Sequence, residues 1–220
     1  MFKGAALDLL AVLEQLSKKR PVFHSEADFQ HAIAWAIHES HGAAAVRLEV
    51  PFDGRSSRQS LDLLVHLDGK SAAVELKYKT RKLSIQAEGE LFGLKDQSAQ
   101  DLGRYDYFRD LARIEGICAA NTGWSGWAVF LTNDSSYWKS PGRAGVAYEE
   151  FRMDEGRVVG GTLNWGPTAG PGTTKDRKEP ITLSRNYRLR WNSYSSFDTR
   201  GYSRFMYLAL ATDQADGAAP

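Results

Sequence analysis

S-L-D-L-L-V-H-L-D-G-K-S-A-A-V-E-L-K-Y-K, residues 60–79, reads as two short apolar strands joined by Asp68-Gly69. An Asp-Gly pair between apolar runs signals a two-residue type I′ hairpin, because both turn residues must reach positive φ. That turn sets Leu67 opposite Lys70, and the pairing runs back residue by residue until Asp62 lies across from Glu75. Opposite residues of an antiparallel pair share a face, with Cβ atoms roughly 4.5–5.5 Å apart. Glu75 and Lys77 are two apart on one strand and share that face too. The hairpin therefore gathers two carboxylates and a lysine at one end. Leu63, Val65, Ala72, Val74 and Leu76 make up its other face.

Two carboxylates this close repel each other unless a cation or a shared proton intervenes. Such a pair of hard oxygen donors suits Mg²⁺, which takes one or two carboxylates and keeps several waters. A lysine beside them is a point charge of the kind that partners phosphate, and a hydrated divalent ion next to it can activate water against a phosphodiester. The alternative is that Asp62 and Glu75 are simply outward polar positions on a half-exposed hairpin.

L-D followed by V-E-L-K, with twelve residues between the two acids, resembles the PD-(D/E)XK nuclease superfamily. The resemblance implies an α/β (α+β) restriction-endonuclease-like core of αβββαβ order, a mixed sheet flanked by helices. It implies Asp62 and Glu75 as ligands of Mg²⁺ or Mn²⁺, joined by the Leu76 carbonyl, and Lys77 as the catalytic lysine. Leu61 stands where the name-giving proline would be. Many members place an acid on the first core helix, pointing at the metal. In H-S-E-A-D-F-Q the match is Glu26, which first-turn helix-dipole complementarity would also explain.

Composition bounds the rest. A chain of 220 residues with 42% apolar content is expected to form one domain with a full core. We divide it into a nuclease-like core at 20–135, a β-rich C-terminal elaboration at 136–212 and a fraying tail at 213–220. The net charge of +1 makes any nucleic-acid surface local. A single cysteine, Cys118, excludes an intrachain disulfide and suits a reducing cytoplasm. No run approaches the roughly 18 apolar residues of a membrane span, and the first twenty residues lack a signal-peptide pattern.

Residues 4–19 read as an amphipathic helix stopped by Pro21, and Ser25 as the N-cap of a second helix carrying Phe29, Ala32, Ile33, Ala36 and Ile37. His24, His31, His38 and His41 match no zinc spacing, and His66 lies four strand residues from Asp62, about 13 Å away. Ala43–Val50 is a predicted strand, followed by a polar loop with Arg55 and Arg58. Lys79, Arg81 and Lys82 follow the lysine strand as a candidate nucleic-acid contact, and residues 88–92 as a candidate flap.

Residues 97–116 form a predicted helix with Gly116 as its stop. Gln97, Asp101, Arg104, Tyr105 and Phe108 fall on one face of it. This stripe is similar to the Q-x-x-x-Y helix of small stand-alone bacterial superfamily members, although its register departs from theirs. The resemblance implies Arg104 as a phosphate binder or lysine support, with Gln100 or Asp101 as polar partner and Tyr105 beside it. An internal ion-pair stripe is the alternative. W-A-V-F-L-T, 127–132, is a predicted buried strand. Ala147–Met153 and Arg157–Trp165 suggest a second hairpin, Gly166–Pro180 a flexible loop, and Phe205–Ala211 a closing strand or helix.

Between 185 and 204, Arg185, Arg188, Arg190, Arg200 and Arg204 interleave with Tyr187, Trp191, Tyr194, Phe197 and Tyr202. Arginine beside aromatics can grip phosphates and stack on bases; packed aromatics with solvated arginines are the plain alternative. Arg188 and Arg190 are the candidate contacts. The expected function is Mg²⁺-dependent hydrolysis of phosphodiester bonds in DNA by a cytoplasmic enzyme, as a homodimer or with a protein partner. The alternative is a nuclease-fold module that binds nucleic acid or a partner without cleavage in a bacterial defence or repair assembly.

Overall fold

The structure is a computed structural model and describes residues 7–42, 44–51, 60–198 and 201–213. Helix α1 (Leu9–Lys19) begins where the Asp8 carboxylate accepts from the Ala11 amide at 3.0 Å. Helix α2 (Glu26–Ser40) begins where the Ser25 hydroxyl accepts from the Asp28 amide at 3.1 Å, the predicted cap. Strands β1 (Ala45–Pro51), β2 (Ser60–Leu67) and β3 (Lys70–Lys79) follow. Asp68 and Gly69 sit at φ 49° and 75°, and the predicted register holds from Leu67 opposite Lys70 back to Leu63 opposite Val74.

The chain then makes a small hairpin, β4 (Leu83–Ala87) and β5 (Glu90–Leu94), where a flap was expected at 88–92. Its turn residues Glu88 and Gly89 both have positive φ, another two-residue turn. It is anchored: Leu83, Ile85, Phe92 and Leu94 are buried, and His24 stacks on Phe92 and pairs with Glu90 at 2.9 Å. Helix α3 (Gln100–Ala120) crosses the sheet to β6 (Ser125–Thr132), which lies parallel to β3. Gly116 does not stop α3, because Ile117 carries its buried face onward and Asn121 ends it. An interior helix glycine costs only about 1 kcal/mol against alanine, less than burying another apolar turn returns.

The last elements are β7 (Val158–Leu163), the short helix α4 (Pro171–Thr174), β8 (Ile181–Arg188), β9 (Trp191–Ser196) and β10 (Arg204–Ala211). One six-stranded sheet runs β1-β2-β3-β6-β10-β9, antiparallel at every junction except β3–β6. The second hairpin differs from the expected one: β7 pairs with β8, and residues 147–153 form turns. The stretch 164–180 between β7 and β8 is a strap tied to α3. Arg177 pairs with Asp106 at 2.9 Å, the Tyr105 hydroxyl donates to the Glu179 carbonyl, and the Thr173 hydroxyl donates to Asp101.

Alternation along the strands builds two cores. Leu63, Val65, Val74, Leu76, Val129 and Leu131 face α1 and α2, where Leu13, Phe29 and Ile33 are fully buried. Ala128, Phe130, Leu208 and Leu210 face Phe108, Leu111 and Ile114 of α3 and the β7–β8 hairpin. Tyr187, Trp191 and Tyr194 are buried and pack the cores, Phe197 packs on from the edge, and Tyr202 is exposed. Each buried side chain contributes about 1.5–3 kcal/mol. β10 lies inside the main sheet, and the Tyr194 and Ser195 hydroxyls donate to the carbonyls of Arg20 and Pro21. Where α3 lies closest to β6 stands Gly126, at which a Cβ would meet Ile114 and Cys118. The architecture is mixed α/β, a mostly antiparallel sheet flanked by helices.

Candidate functional site

The β2–β3 ladder is regular as far as Leu63 and Val74. Beyond it the two strands part, and two amides on that edge of β3 are taken up by side chains. The Asp62 carboxylate accepts from the Leu76 amide at 2.7 Å. The Glu26 carboxylate, on the first residue of α2, accepts from the Tyr78 amide at 2.7 Å. Buried backbone donors demand acceptors, so these acids stand in for the missing strand. Gln30 of α2 donates to the Asp62 carbonyl at 2.9 Å and holds β2 at the fork. The same alternation that buries Val74, Leu76 and Tyr78 toward α1 and α2 turns Glu75 and Lys77 toward α3.

Helix α3 answers with two residues one turn apart. Lys77 Nζ lies 2.6 Å from Asp110 Oδ2, and the Arg113 guanidinium contacts Glu75 while reaching Asp110 at 3.5 Å. Asp62, Glu75, Lys77, Arg109, Asp110 and Arg113 line a cleft of about 560 Å³. Glu75 is 2% exposed and Asp110 5%. Among the described residues, Glu75 Oε1 and Asp110 Oδ2 find no hydrogen-bond donor with good geometry, so their pairings are ionic contacts.

The electrostatics are those of acids crowded together in a buried place. Burial, reinforced by Asp110 and Asp62 and only partly offset by Arg113 and Lys77, pushes the Glu75 carboxyl up to about 9. Burial also raises Asp62, against the Leu76 amide and Lys77. For Lys77, burial opposes the charge, but Asp110, Glu26 and Asp62 outweigh it and hold the ammonium above its ordinary range. Three carboxyls, Asp62, Glu75 and Asp110, thus share the cleft with Lys77, Arg113 and Arg109, the last of which is paired with Asp106.

The other expected site residues lie elsewhere. Gln100 donates to Asp134 at 3.0 Å, Asp101 accepts from Thr173 and from the Leu102 amide, and Tyr105 is bound to the strap. Arg104, expected to bind phosphate, is 3% exposed between the rings of Tyr137 and Tyr148 and donates to the Ser136 carbonyl. That polar stripe fastens the strap and the segment after β6 to the N-terminal half of α3, two turns short of the cleft.

Arg81 is engaged by Asp96 at 2.7 Å and lies over Tyr202. Lys79 is half-buried, and Lys82 is exposed. Arg188 and Arg190 are exposed, and neither lines the cleft. Arg55, Arg58 and Arg200 lie outside the described residues. Sequence reading missed Asp110, Arg113 and Arg109. The available signal was the i,i+3 pair in D-L-A-R, two charged groups set between the apolar residues Phe108 and Ile114 on either side of Leu111 and Ala112.

The cleft offers a hard cation the Glu75 carboxylate, the Asp62 oxygen not bound to the Leu76 amide, and the Leu76 carbonyl, which lies 3.4 Å from Lys77 Nζ, whereas Glu26, expected as a ligand, does not line it. Among the described residues no three His, Cys, Asp or Glu side chains converge as a metal cage. Mg²⁺ does not require one, since it binds through one or two carboxylates and its own waters. The residues fit such an ion. None of the described helices is long and apolar enough to cross a membrane. Comparison with known proteins gives no matching family model, no matching curated protein and no matching solved structure.

Proposed function

We propose that the protein is a metal-dependent phosphodiesterase acting on DNA, built on a restriction-endonuclease-like core. One observation carries the reading. The parting of β2 and β3 brings Asp62, Glu75 and Lys77 into one cleft where burial and the neighbouring acids Asp110 and Asp62 raise the Glu75 carboxyl. The order α2, β1, β2, β3, α3, β6, with the β4–β5 hairpin inserted after β3, supports it, because without that insertion it is the order the resemblance implies.

Asp62, Glu75 and the Leu76 carbonyl would hold Mg²⁺ or Mn²⁺, which supplies Lewis acidity and a more acidic water when bound. Glu26 fixes Tyr78 and with it the direction of the Glu75–Lys77 strand. Lys77, charged and fixed by Asp110, orients the attacking water or neutralises charge developing on the phosphorane. Arg109, half exposed on the cleft rim and paired with Asp106 at 3.0 Å, is placed to meet a backbone phosphate.

The test is incubation of the purified protein with plasmid, linear and single-stranded DNA in Mg²⁺, Mn²⁺ or EDTA. Cleavage should require the metal and be lost in Asp62→Asn. A wild type inactive on every substrate refutes the reading. The ion pairs that Arg113 and Lys77 make with Glu75 and Asp110 favour a second reading, a nuclease-fold module that binds nucleic acid or a partner without cutting. Affinity for DNA without any cleavage would select it.

A further inference from the structure

The cleft holds one cation that the chemistry of the preceding proposal does not use. Lys77 has a partner of its own in Asp110, whereas Arg113 spans Glu75 and Asp110 and provides the nearest positive charge to Glu75. Glu75 is one of the two side chains a divalent ion would need. Resting on the nuclease reading, we infer that Arg113 and the divalent cation compete for the Glu75 carboxylate, and that the displaced guanidinium then grips a phosphate of the nucleic-acid strand.

Three features of the cleft support this exchange. The contact between Arg113 and Glu75 Oε1 lacks hydrogen-bond geometry and so lacks the bidentate fork that makes an arginine–carboxylate pair hard to break. The Arg113 side chain keeps 27% of its surface open to solvent while Glu75 is closed off, so the arginine can swing outward and the carboxylate cannot follow. The outward side is the cleft itself, whose rim carries Arg109 one helical turn away. Guanidinium binds phosphate well once released, and a divalent ion beside a fixed guanidinium suffers like-charge repulsion that the swing relieves. Metal and substrate would then load cooperatively, because the ion frees the group that receives the phosphate.

The experiment titrates Mn²⁺ into wild type, Arg113→Ala and Arg113→Gln by calorimetry and electron paramagnetic resonance, without nucleic acid. Thermal melting shows that each variant is folded, and glutamine keeps a donor toward Glu75 should alanine fail to fold. A short DNA duplex is then titrated in Ca²⁺, which holds metal sites without supporting Mg²⁺-type chemistry. Both variants should bind Mn²⁺ at least about tenfold more tightly, through loss of the like-charge repulsion, and bind the duplex several-fold more weakly. Mn²⁺ affinity equal to or below that of wild type, or unchanged duplex affinity, overturns the exchange and leaves the nuclease reading standing. If wild type and both variants all fail to bind Mn²⁺, the nuclease reading falls and the exchange falls with it.

Discussion

Glu75→Gln replaces a buried carboxyl, pushed up to about 9 first by burial and then by Asp110 and Asp62, with a neutral side chain of the same shape. In the unfolded chain the group titrates near its ordinary value of 4.5. Between those two values the folded protein keeps a proton that the unfolded chain releases. The folded state then binds more protons, so stability falls as pH rises through the window and is regained below it. One unit corresponds to about 1.36 kcal/mol, so raising the pH from 5.5 to 7.5 removes on the order of 2–3 kcal/mol through this one group. Glutamine has no such slope. Urea unfolding of both proteins in EDTA at the two pH values measures it. The stability of the variant relative to wild type should rise by 2–3 kcal/mol between them, on the order of that linkage, with the variant the more stable at pH 7.5. Parallel pH profiles, or a variant less stable at pH 7.5, would mean that Arg113 keeps Glu75 ionised and that burial and the neighbouring acids do not raise it.

Lys77→Ala should abolish cleavage, but it also strands buried Asp110, so urea unfolding should show a loss of about 3–5 kcal/mol, as for other broken buried pairs. Adding Asp110→Asn should recover most of that stability and none of the activity. Arg109→Ala should weaken DNA binding and lower the slope of log affinity against log salt by about one, the signature of one lost phosphate contact; an unchanged slope would place Arg109 off the DNA path. Gly116→Ala should raise stability by up to about 1 kcal/mol, since a Cβ there meets nothing within 4 Å and the position is an exposed helix interior. Thermal melting reads it directly.

The parts of the molecule governed by local chemistry were legible in the sequence. Asp68-Gly69 set the register of β2 and β3, Ser25 set the start of α2, and W-A-V-F-L-T set β6, because turn geometry, capping and strand burial act within a few residues. From the hairpin register also came the face shared by Glu75 and Lys77. Long-range choices were not legible. Residues 158–163 pair with 181–188 across the strap, and no local signal distinguishes that from pairing with 147–153. The face of α3 that meets the site depends on where the helix lands on the sheet. A polar stripe through Gln100, Asp101, Arg104 and Tyr105 can thus serve the strap while Asp110 and Arg113 meet the hairpin. The cue for Arg104 was misleading because an arginine sandwiched by tyrosines is buried for the same aromatic affinity that would fit it to bases.

The clasp of Tyr194 and Ser195 on Arg20 and Pro21 joins points 174 residues apart, and the neighbouring β10 completes the sheet against β6. Assembly therefore waits until β9 and β10 have been made. As the chain leaves the ribosome, β1, β2, β3 and β6 can form while the outer edge of β6 has no strand to pair with, because β10 follows all the other strands of that sheet. Non-local pairing of this kind is slow, and an open strand edge invites association with another chain. Nascent or prematurely terminated chains lacking residues from Arg204 onward would keep that edge exposed, making them the species of this protein most dependent on chaperone protection.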